Sequence, residues 1–244
     1  MNELSVIIRS NAGLYGYFDK ASGFYQAPIY EGIYDICSDP SSPLFVKRNG
    51  LWGYVDRSNG QPITAFCYDA GYGFPCYQNG YALVAMLIER SENLTAYALH
   101  LIDQQGVEVR LPDGFSPRSG VCGTQKTVVI HGMASNGEYL LGLWNVDGKT
   151  VVPPQYDDIW FGDCDFFCYR DSSGKIGVIS SAGDIVIEPT YDTRDMPVSY
   201  IGDEHSGYYL LYHADGTPAY VFCNNDIDSI SILDTAELLA IYPE

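Results

Sequence analysis

Positive charge is scarce in this chain. Its 244 residues include 13 Lys and Arg against 31 Asp and Glu, which gives a formal net charge of −18. Binding to a phosphate backbone or an anionic membrane depends on clustered Lys and Arg, so the composition argues against nucleic acid and membrane partners. Two explanations of the acidity stay open, namely solubility and attraction to a basic partner or cation.

Long apolar runs are also missing. No window approaches the roughly 18 consecutive apolar residues that a membrane-spanning helix needs. Residues 1–9 lack the basic segment and apolar run of a secretory signal. The seven cysteines form no paired C-x-x-C framework, and buried thiols in a reducing compartment are their simplest explanation. We therefore expect a cytoplasmic protein.

The signatures of common enzyme sites are absent. The sequence contains no G-x-S-x-G, Walker loop, H-E-x-x-H or dinucleotide fingerprint. Metal ligands and general bases need converging partners, which the spacing of the histidines does not provide. The four histidines are spread along the chain, at His100, His131, His205 and His213. We therefore expect no enzymatic activity and no cofactor.

One segment contains acidic residues and thiols that could form a metal site or a catalytic site. Its acids and thiols are Asp157, Asp158, Asp163, Cys164, Asp165 and Cys168. They allow a metal site or, as the least favoured alternative, a hydrolase. Alternation along a strand equally places Cys164 and Cys168 on one core face, and solvated turns explain the acids. We therefore predict no metal.

Aromatic residues and turn signals dominate what is present. The 21 Tyr, 10 Phe and 3 Trp favour strands over helices. Asn49-Gly50 stands between apolar residues and predicts a two-residue hairpin turn, which requires positive φ at both positions. Gly53 follows within the next strand, where a missing side chain usually marks a bulge or the close approach of another backbone.

The hairpin belongs to a module that recurs along the chain. Its turn glycines lie 33 to 46 residues apart, at Gly23, Gly60, Gly106, Gly148, Gly183 and Gly216. An apolar strand precedes each glycine, and a second apolar stretch follows most of them. A Tyr-Asp pair closes three modules, at Tyr68-Asp69, Tyr156-Asp157 and Tyr191-Asp192. The third module, Ala98 to Arg110, lacks this closing pair.

These spacings predict an all-β fold of about six three-stranded meander repeats. The approximate repeats are 5–42, 43–80, 81–125, 126–164, 165–199 and 200–244, within a single domain of residues 1–244. Strands at both ends, Ser5–Arg9, Ser229–Leu233 and Leu238–Tyr242, could pair and remove exposed edges. We therefore favour a closed, propeller-like ring over an open solenoid.

The segment Leu51 to Asp56, followed by Gly60, Pro62-Ile63 and Tyr68-Asp69, resembles the WG repeat of bacterial WG-containing repeat proteins. The segments Gly142 to Asp157 and Gly177 to Asp192 look like further copies, although only Trp52 keeps the signature tryptophan. The repeat positions are Gly16, Trp52, Gly53, Tyr68, Asp69, Gly142, Tyr156, Asp157, Gly177, Tyr191 and Asp192. The family shares no catalytic residues, so the resemblance implies a binding or scaffold role.

Aromatic residues in predicted loops are the candidate contact residues. They are Tyr72, Phe74, Tyr77, Trp160 and Phe161, with Phe115 in a Pro-rich segment. Aromatics concentrate at binding hot spots but also fill core layers, and both explanations stay open. The leading hypothesis is a protein partner, and the alternative is a small ligand or glycan in an aromatic-lined groove. Trp52 is expected to be largely buried, with a loss of about 3–5 kcal/mol on truncation to alanine.

Overall fold

The computed structural model describes residues 5–35, 41–69, 76–90, 95–123, 125–161, 165–192, 200–202, 206–224 and 229–241. These residues form twenty strands and one short helix, which confirms the all-β prediction. The strands form six small sheets in which neighbours along the chain pair. Contacts group the chain into two compact units, Met1–Leu111 with Ser119–Val121, and Pro112–Arg118 with Cys122–Glu244. The single domain and the closed ring stay predictions.

The first unit contains three antiparallel sheets. The first sheet is β1 (Ser5–Arg9), β2 (Tyr15–Asp19) and β3 (Tyr25–Tyr30); the second is β4 (Gly32–Tyr34), β5 (Leu44–Arg48) and β6 (Leu51–Val55); the third is β7 (Tyr81–Arg90) and β8 (Thr95–Asp103). Between β5 and β6, Asn49 has φ 53° and Gly50 has φ 81°, while Arg48 pairs with Leu51. The predicted two-residue turn is therefore confirmed.

The second unit contains three sheets of four strands and a terminal helix. The strands are β9 (Phe115–Pro117), β10 (Thr127–Met133), β11 (Tyr139–Asn145) and β12 (Lys149–Tyr156); β13 (Asp158–Phe161), β14 (Phe166–Arg170), β15 (Ile176–Ser180) and β16 (Ile185–Tyr191); and β17 (Tyr200–Gly202), β18 (Ser206–Tyr212), β19 (Pro218–Asn224) and β20 (Ser229–Leu233), followed by α1 (Thr235–Ile241).

The prediction of three strands per repeat is wrong for the second unit, and the closing Tyr-Asp pairs show why. In the fourth repeat, Tyr156 pairs with Leu141 in its own sheet. The next residue, Asp157, donates its backbone N–H to the carbonyl of Arg170 in the following sheet, 3.0 Å away. The chain therefore changes sheets within two residues and adds β13 as an extra edge strand.

The same transfer occurs in three other repeats. Backbone donors at Glu31, Asp69 and Asp192 bind the carbonyls of Lys47, Ala85 and Tyr212 at 2.8, 2.9 and 2.8 Å, respectively. The tyrosine before each donor is buried, and burial raises the pKa of Tyr68 to about 12. The Tyr-Asp pair is therefore a junction that belongs to two sheets.

A glycine in the middle strand of these repeats lies under a neighbouring backbone. A Cβ added to Gly142 would lie 2.5 Å from the carbonyl oxygen of Val152, and one at Gly177 would lie 2.6 Å from that of Ile187. The register shifts across each of these glycines and again one residue later, as a β-bulge does. A Cβ added to Gly53 would likewise lie 2.9 Å from the carbonyl oxygen of Ala65, which confirms the predicted backbone approach.

Hydrophobic clusters lie between successive sheets within each unit. In the first unit, Tyr17 of β2 packs with Leu44 and Val46 of β5 and Val55 of β6. In the second unit, Val129 of β10 and Leu143 of β11 pack with Phe167 of β14 and Ile179 of β15, and a further cluster joins β14 and β15 to β18 and β19. Each sheet therefore buries its face against the next, as repeat architectures require.

Trp52 has intermediate exposure and packs against a core cluster, so its being largely buried stays a prediction. Trp52 is partly exposed and stacks on Phe45 at a centroid distance of 4.9 Å, at the margin of its cluster. Trp144 on β11 is the most deeply buried tryptophan among the described residues, at 1% exposure. It stands two positions after Gly142 and faces the interior, whereas Trp52 stands one position before Gly53.

Two further sequence predictions need correction. The second apolar stretch of the Gly60 module, Gln61–Phe66, was expected to continue the sheet, but it contributes a single isolated bridge, between Pro62 and Val55. There Tyr54 donates its N–H to the Thr64 hydroxyl at 2.9 Å, which interrupts the ladder. Leu238–Tyr242 was expected to be a strand, but Leu238 to Ile241 lie in α1. There Asp234 and Glu237 exchange backbone-to-side-chain hydrogen bonds of 2.9 Å, forming a capping box that starts a helix.

We expect Gly142→Ala to destabilise the protein by about 2 kcal/mol or more, because its Cβ would overlap backbone atoms that cannot move freely. Gly120→Ala is the matched control, since a Cβ there meets the flexible end of Gln78 at 3.1 Å and little else. Urea unfolding measures both variants. Equal losses would contradict the role of the backbone approach at Gly142.

We expect Trp144→Ala to cost about 3–5 kcal/mol, as truncation of large core residues does, and Trp52→Ala to cost less than about 3 kcal/mol. The reason is the difference in burial between the two side chains. Chemical denaturation of both variants tests the order. A larger loss for Trp52→Ala would show that the edge position, and not the interior one, holds the repeats together.

Candidate functional site

A polar cavity of about 490 Å³ lies in the first unit, among the turns of its three sheets. The turn after β2 contributes Asp19 and Ser22, the turn after β6 contributes Asp56 and Ser58, and the turn after β8 contributes Gln104 and Gln105. Its volume falls within the range of small-molecule sites, roughly 300–1,000 Å³. Equivalent turns of three repeats therefore converge on one cavity.

The acidic residues of these turns act first on the local backbone. Asp56 Oδ1 accepts hydrogen bonds from the N–H and hydroxyl of Ser58 at 2.8 and 2.7 Å, and Asp56 Oδ2 accepts one from the Asn59 amide at 2.7 Å. Burial raises the pKa of Asp56, but these hydrogen bonds outweigh it and leave the pKa below its ordinary value. Such side-chain-to-backbone bonds fix a turn, so the sequence needs an acid here for the fold itself.

Beside the cavity lies a buried ion pair that the sequence did not reveal. Arg57 donates to both carboxylate oxygens of Asp35 at 3.2 and 2.7 Å, to the Ser5 hydroxyl at 2.6 Å and to the Ser42 carbonyl at 3.3 Å. The side chains of Arg57 and Asp35 are only 5% and 11% exposed. The guanidinium is therefore already neutralised, and it joins β1 to the second sheet.

Asp19 is the residue of the cavity wall whose hydrogen bonding is incomplete. It is 2% exposed. Its Oδ2 accepts hydrogen bonds from the Ser22 N–H at 2.8 Å and the Ser22 hydroxyl at 2.5 Å. Its buried Oδ1 has no hydrogen-bond partner among the described residues, and neither has the hydroxyl of nearby Ser42. Buried polar atoms normally have partners, so these two atoms are exceptions within the first unit.

The Tyr17 side chain contacts the backbone of the turn that contains Asp56. The Tyr17 hydroxyl, which donates to the Asp56 carbonyl at 3.3 Å, has a pKa well above its usual range because of burial and because of the charges of Tyr30, Asp56 and Asp19. Arg57 opposes this shift only as the last and smallest cause.

The aromatic residues that were predicted as a contact surface belong to two different units of the chain. Tyr72 and Phe74 lie outside the described residues. Tyr77 is 6% exposed, packs in the cluster of Phe45 and Tyr54, and donates its hydroxyl to the Asp103 carbonyl at 3.0 Å. Of the two explanations for Tyr77, the core explanation therefore describes its position.

The other aromatics lie on strands. Trp160 of β13 is partly buried against a core cluster, with the Arg170 guanidinium 4.9 Å from its ring centroid. Phe161 ends β13 and pairs with Phe167 through the backbone. Phe115 lies in β9, where its ring approaches Gly132. These three residues therefore lie on strands and not in loops, and among the described residues no aromatic side chain lines the polar cavity.

The candidate chemical groups do not converge within the described residues. His100 pairs with Glu108 at 2.6 Å, and the pKa of His131 is lowered by burial and by the charge of Arg118. Cys168 is buried in a core cluster, as one of its two explanations predicted. His205, Asp163 and Cys164 lie outside the described part of the chain. In that part, no three His, Cys, Asp or Glu side chains form a metal-binding group.

The chain is an antiparallel β-repeat protein in which turns of three repeats line one polar cavity. The family model for the WG containing repeat matches residues 52–86 and 142–170. The chain therefore carries WG repeats, as the sequence predicts, and the matched segments include Trp52, Tyr68 and Gly142. A search of curated protein sequences finds no significant match.

Solved structures to which the chain is similar include β-propeller domains. The WD40 β-propeller domain of Doa1 is 12% identical, with 95% of this chain and 79% of that chain covered and a TM-score of 0.36. The propeller domain of the trilobed protease from Pyrococcus furiosus is 10% identical, with 89% and 74% covered and a TM-score of 0.39. The WD40 domain of SCAP from fission yeast is 10% identical, with 98% and 69% covered and a TM-score of 0.35. TM-scores below 0.5 carry no information about function.

The described residues contain no helix that could span a membrane. Their helix α1 has seven residues, and none of their helices is long and apolar enough to cross a bilayer.

We expect Asp35→Asn to destabilise the protein by about 3–5 kcal/mol, because it leaves the buried Arg57 guanidinium without its counter-charge. Lys175→Met is the matched control. It breaks the Lys175–Asp192 pair of 2.7 Å, whose side chains are 35% and 41% exposed, and should cost less than about 1 kcal/mol. Unfolding in urea measures both, and similar losses would show that the Arg57 pair contributes no more than a surface pair.

Proposed function

We propose that this protein is a non-enzymatic repeat scaffold that binds a basic protein partner. The observation that carries the proposal is a run of three consecutive exposed apolar residues on β7. Met86, Leu87 and Ile88 are 36%, 39% and 67% exposed. Consecutive exposed apolar residues are unfavourable in water unless a partner covers them.

The geometry of the β7–β8 hairpin supports a contact role. Residues 82–85 of β7 are buried, whereas residues 86–89 are exposed, so the outer half of the hairpin extends beyond the core. The register shifts between Leu87 and Glu89, which leaves Ile88 as the bulged residue. Bulges redirect side chains, and this one turns the most exposed apolar residue of the strand outward.

The unpaired edge of β7 suits a partner protein that presents a strand or a flat surface. Asp69 bridges to Ala85, and beyond Ala85 no third strand of the described residues pairs with β7. Unpaired strand edges present N–H and C=O groups that can hydrogen-bond to another chain. Main-chain pairing and the apolar run would then act together.

The net charge of the chain indicates which kind of partner is attracted. A second copy of this chain carries the same net charge of −18 and would be repelled, whereas a basic protein would be attracted. The occupant that we propose is therefore a heterologous protein that presents an apolar patch with Lys and Arg at its rim.

The test compares Ile88→Ser with Ile185→Ser. The control residue, Ile185 on β16, is the same residue type on a strand and is 50% exposed. Proteins captured from the native host by the wild-type chain are purified, and their affinities for the wild type and both variants are measured. We expect one partner to bind the wild type and Ile185→Ser equally, to lose at least tenfold in affinity for Ile88→Ser, and to bind more weakly as salt increases.

Three outcomes would overturn the proposal: no purified protein binds the wild type, Ile88→Ser binds as well as Ile185→Ser, or the affinity does not change with salt. Gel filtration of the purified chain adds a further outcome. A dimer that Ile88→Ser dissociates would make a second copy the occupant and contradict a basic partner. Circular dichroism of all variants confirms that they are folded.

A further inference from the structure

The first strand of the first sheet has an open outer edge. Strand β1 pairs with β2 and with no other strand of the described residues. The Ser10 N–H donates to the Leu14 carbonyl at 2.8 Å, so the preceding pair in the ladder is not hydrogen-bonded. That pair is Arg9 with Tyr15. The N–H and C=O groups of Arg9, and those of Ile7 two positions earlier, therefore point away from β2.

Three equivalent strands have a paired outer edge. Strands β5, β10 and β14 occupy the position of β1, because each forms a hairpin with the strand that pairs with the closing tyrosine of its repeat. Their outer edges pair with β4, β9 and β13, respectively. Strand β1 differs from them because the described residues supply no such partner.

The burial of equivalent side chains reflects this difference. Val6 and Ile7 are neighbours in β1, so their side chains lie on opposite faces, yet they are 43% and 41% exposed. The equivalent side chains of the paired strands are at most 3% exposed, namely Leu44 and Phe45, Val128 and Val129, and Phe167 and Cys168. An apolar strand with an unpaired edge is the kind of strand to which another chain adds a strand of its own.

One face of the same sheet is also uncovered. Val6 pairs with Phe18, and Phe18 pairs with Tyr25, so the three side chains lie side by side across the sheet. They are 43%, 38% and 55% exposed. In the fifth repeat the equivalents of Val6 and Phe18 are Phe167 and Ile179, which pack against β10 and β11 of the preceding sheet. The face that joins one repeat to another is therefore exposed in the first sheet.

The paired edge of β14 indicates which segment fits β1. There the added strand places Asp158 opposite Arg170, and the Arg170 guanidinium lies 4.9 Å from the ring centroid of Trp160. Arg9 is the equivalent of Arg170, and it is exposed. A strand that carries an acid and, two positions later, an aromatic residue would therefore place both beside the Arg9 side chain.

The acidity of the chain does not oppose such a segment at this edge. Residues 1–57 contain five of the 13 Lys and Arg but only six of the 31 Asp and Glu. Most of the excess negative charge therefore belongs to later repeats, and repulsion between charges weakens with distance in salt solution.

We propose that β1 accepts an antiparallel strand from another protein that contains a WG-type repeat, and that this repeat packs on the face of Val6, Phe18 and Tyr25. The incoming strand begins with a tyrosine–acid pair, directs an acid to Arg9 and hydrogen-bonds to the outward groups of Ile7 and Arg9. The surface lies on the first sheet and is separate from the β7–β8 hairpin, so it does not depend on the proposed function.

Calorimetric titration with a peptide tests the strand pairing. The probe is the acetylated and amidated segment 156–161, Tyr-Asp-Asp-Ile-Trp-Phe, which contains the strand that pairs with β14. We expect saturable binding. N-methylation of the Trp160 amide, which would face Ile7, should weaken binding at least tenfold by removing a backbone hydrogen bond. N-methylation of the Ile159 amide is the matched control, because alternate amides point away from the paired strand, and it should change the affinity less than twofold.

Ile7→Pro tests the location on the protein. Proline removes an N–H that points outward, so the β1–β2 ladder keeps its hydrogen bonds. Ile185→Pro on the edge strand β16 is the matched control. The Ser180 N–H donates to the Asp184 carbonyl at 2.8 Å, so the N–H of Ile185 also points away from its neighbouring strand. We expect Ile7→Pro to weaken the peptide at least tenfold and Ile185→Pro less than twofold.

Arg9→Glu provides a second variant in case Ile7→Pro does not fold, since Arg9 is exposed. It should weaken the peptide at least fivefold, because a like charge then faces Asp158. The peptide with Asp158→Lys should bind Arg9→Glu at least fivefold more tightly than it binds the wild type. Circular dichroism confirms that each variant is folded.

Four results would overturn the strand site: no saturable peptide binding, equal binding of the two N-methylated peptides, equal effects of Ile7→Pro and Ile185→Pro, or no recovery by the charge exchange. A dimer in gel filtration that Ile7→Pro dissociates would make a second copy the occupant and contradict a different protein. Ile88→Ser should bind the peptide as the wild type does, and Ile7→Pro should keep the basic partner, so the failure of either proposal is recognised separately.

Discussion

The contact between the repeat glycine and the backbone that crosses it is the constraint on which this fold depends. At Gly142 and Gly177 the neighbouring strand comes so close that no Cβ could be accommodated, and the ladder register shifts at each glycine. The shift bends the outer strand and turns its end toward the following sheet. Any larger residue would force the two strands apart, so the position requires glycine because of space and not because of φ.

The bend explains why the chain can change sheets in so few residues. The residue before the glycine pairs with the closing tyrosine, as Leu141 does with Tyr156 and Ile176 with Tyr191. The next residue then donates its N–H to the following sheet. Clusters such as that of Val129, Leu143 and Phe167 fill the space between these joined sheets. Glycine, tyrosine and acid therefore act as one unit, and this explains why they recur together at fixed spacing while the residue before the glycine varies.

Features that depend on local chemistry could be predicted from the sequence, and those that depend on distant contacts could not. Asn49-Gly50 gave the hairpin because positive φ is a property of those residues. The extra strand Asp158–Phe161 was missed because its aromatics resemble an exposed loop until the junction at Asp157 is known. The helix that begins at Thr235 had a local signal, the capping box of Asp234 and Glu237. The apolar residues that follow were interpreted as a strand instead. The ion pair of Arg57 with Asp35, 22 residues away, had no local signal.

The acidity of the chain follows in part from the same architecture. The turns need side-chain acceptors, and Asp56, Asp103, Asp171 and Asp215 each accept a backbone N–H from the residue two positions on. The hydrogen bond from the Ser173 hydroxyl is the main cause of the lowered pKa of Asp171, so protonation near that pKa would remove stability as the pH falls. Asp19 differs from these residues because one of its oxygens is buried without a donor. Repetition therefore explains why the turns are acidic, because each copy of the turn needs a side-chain acceptor for its own backbone.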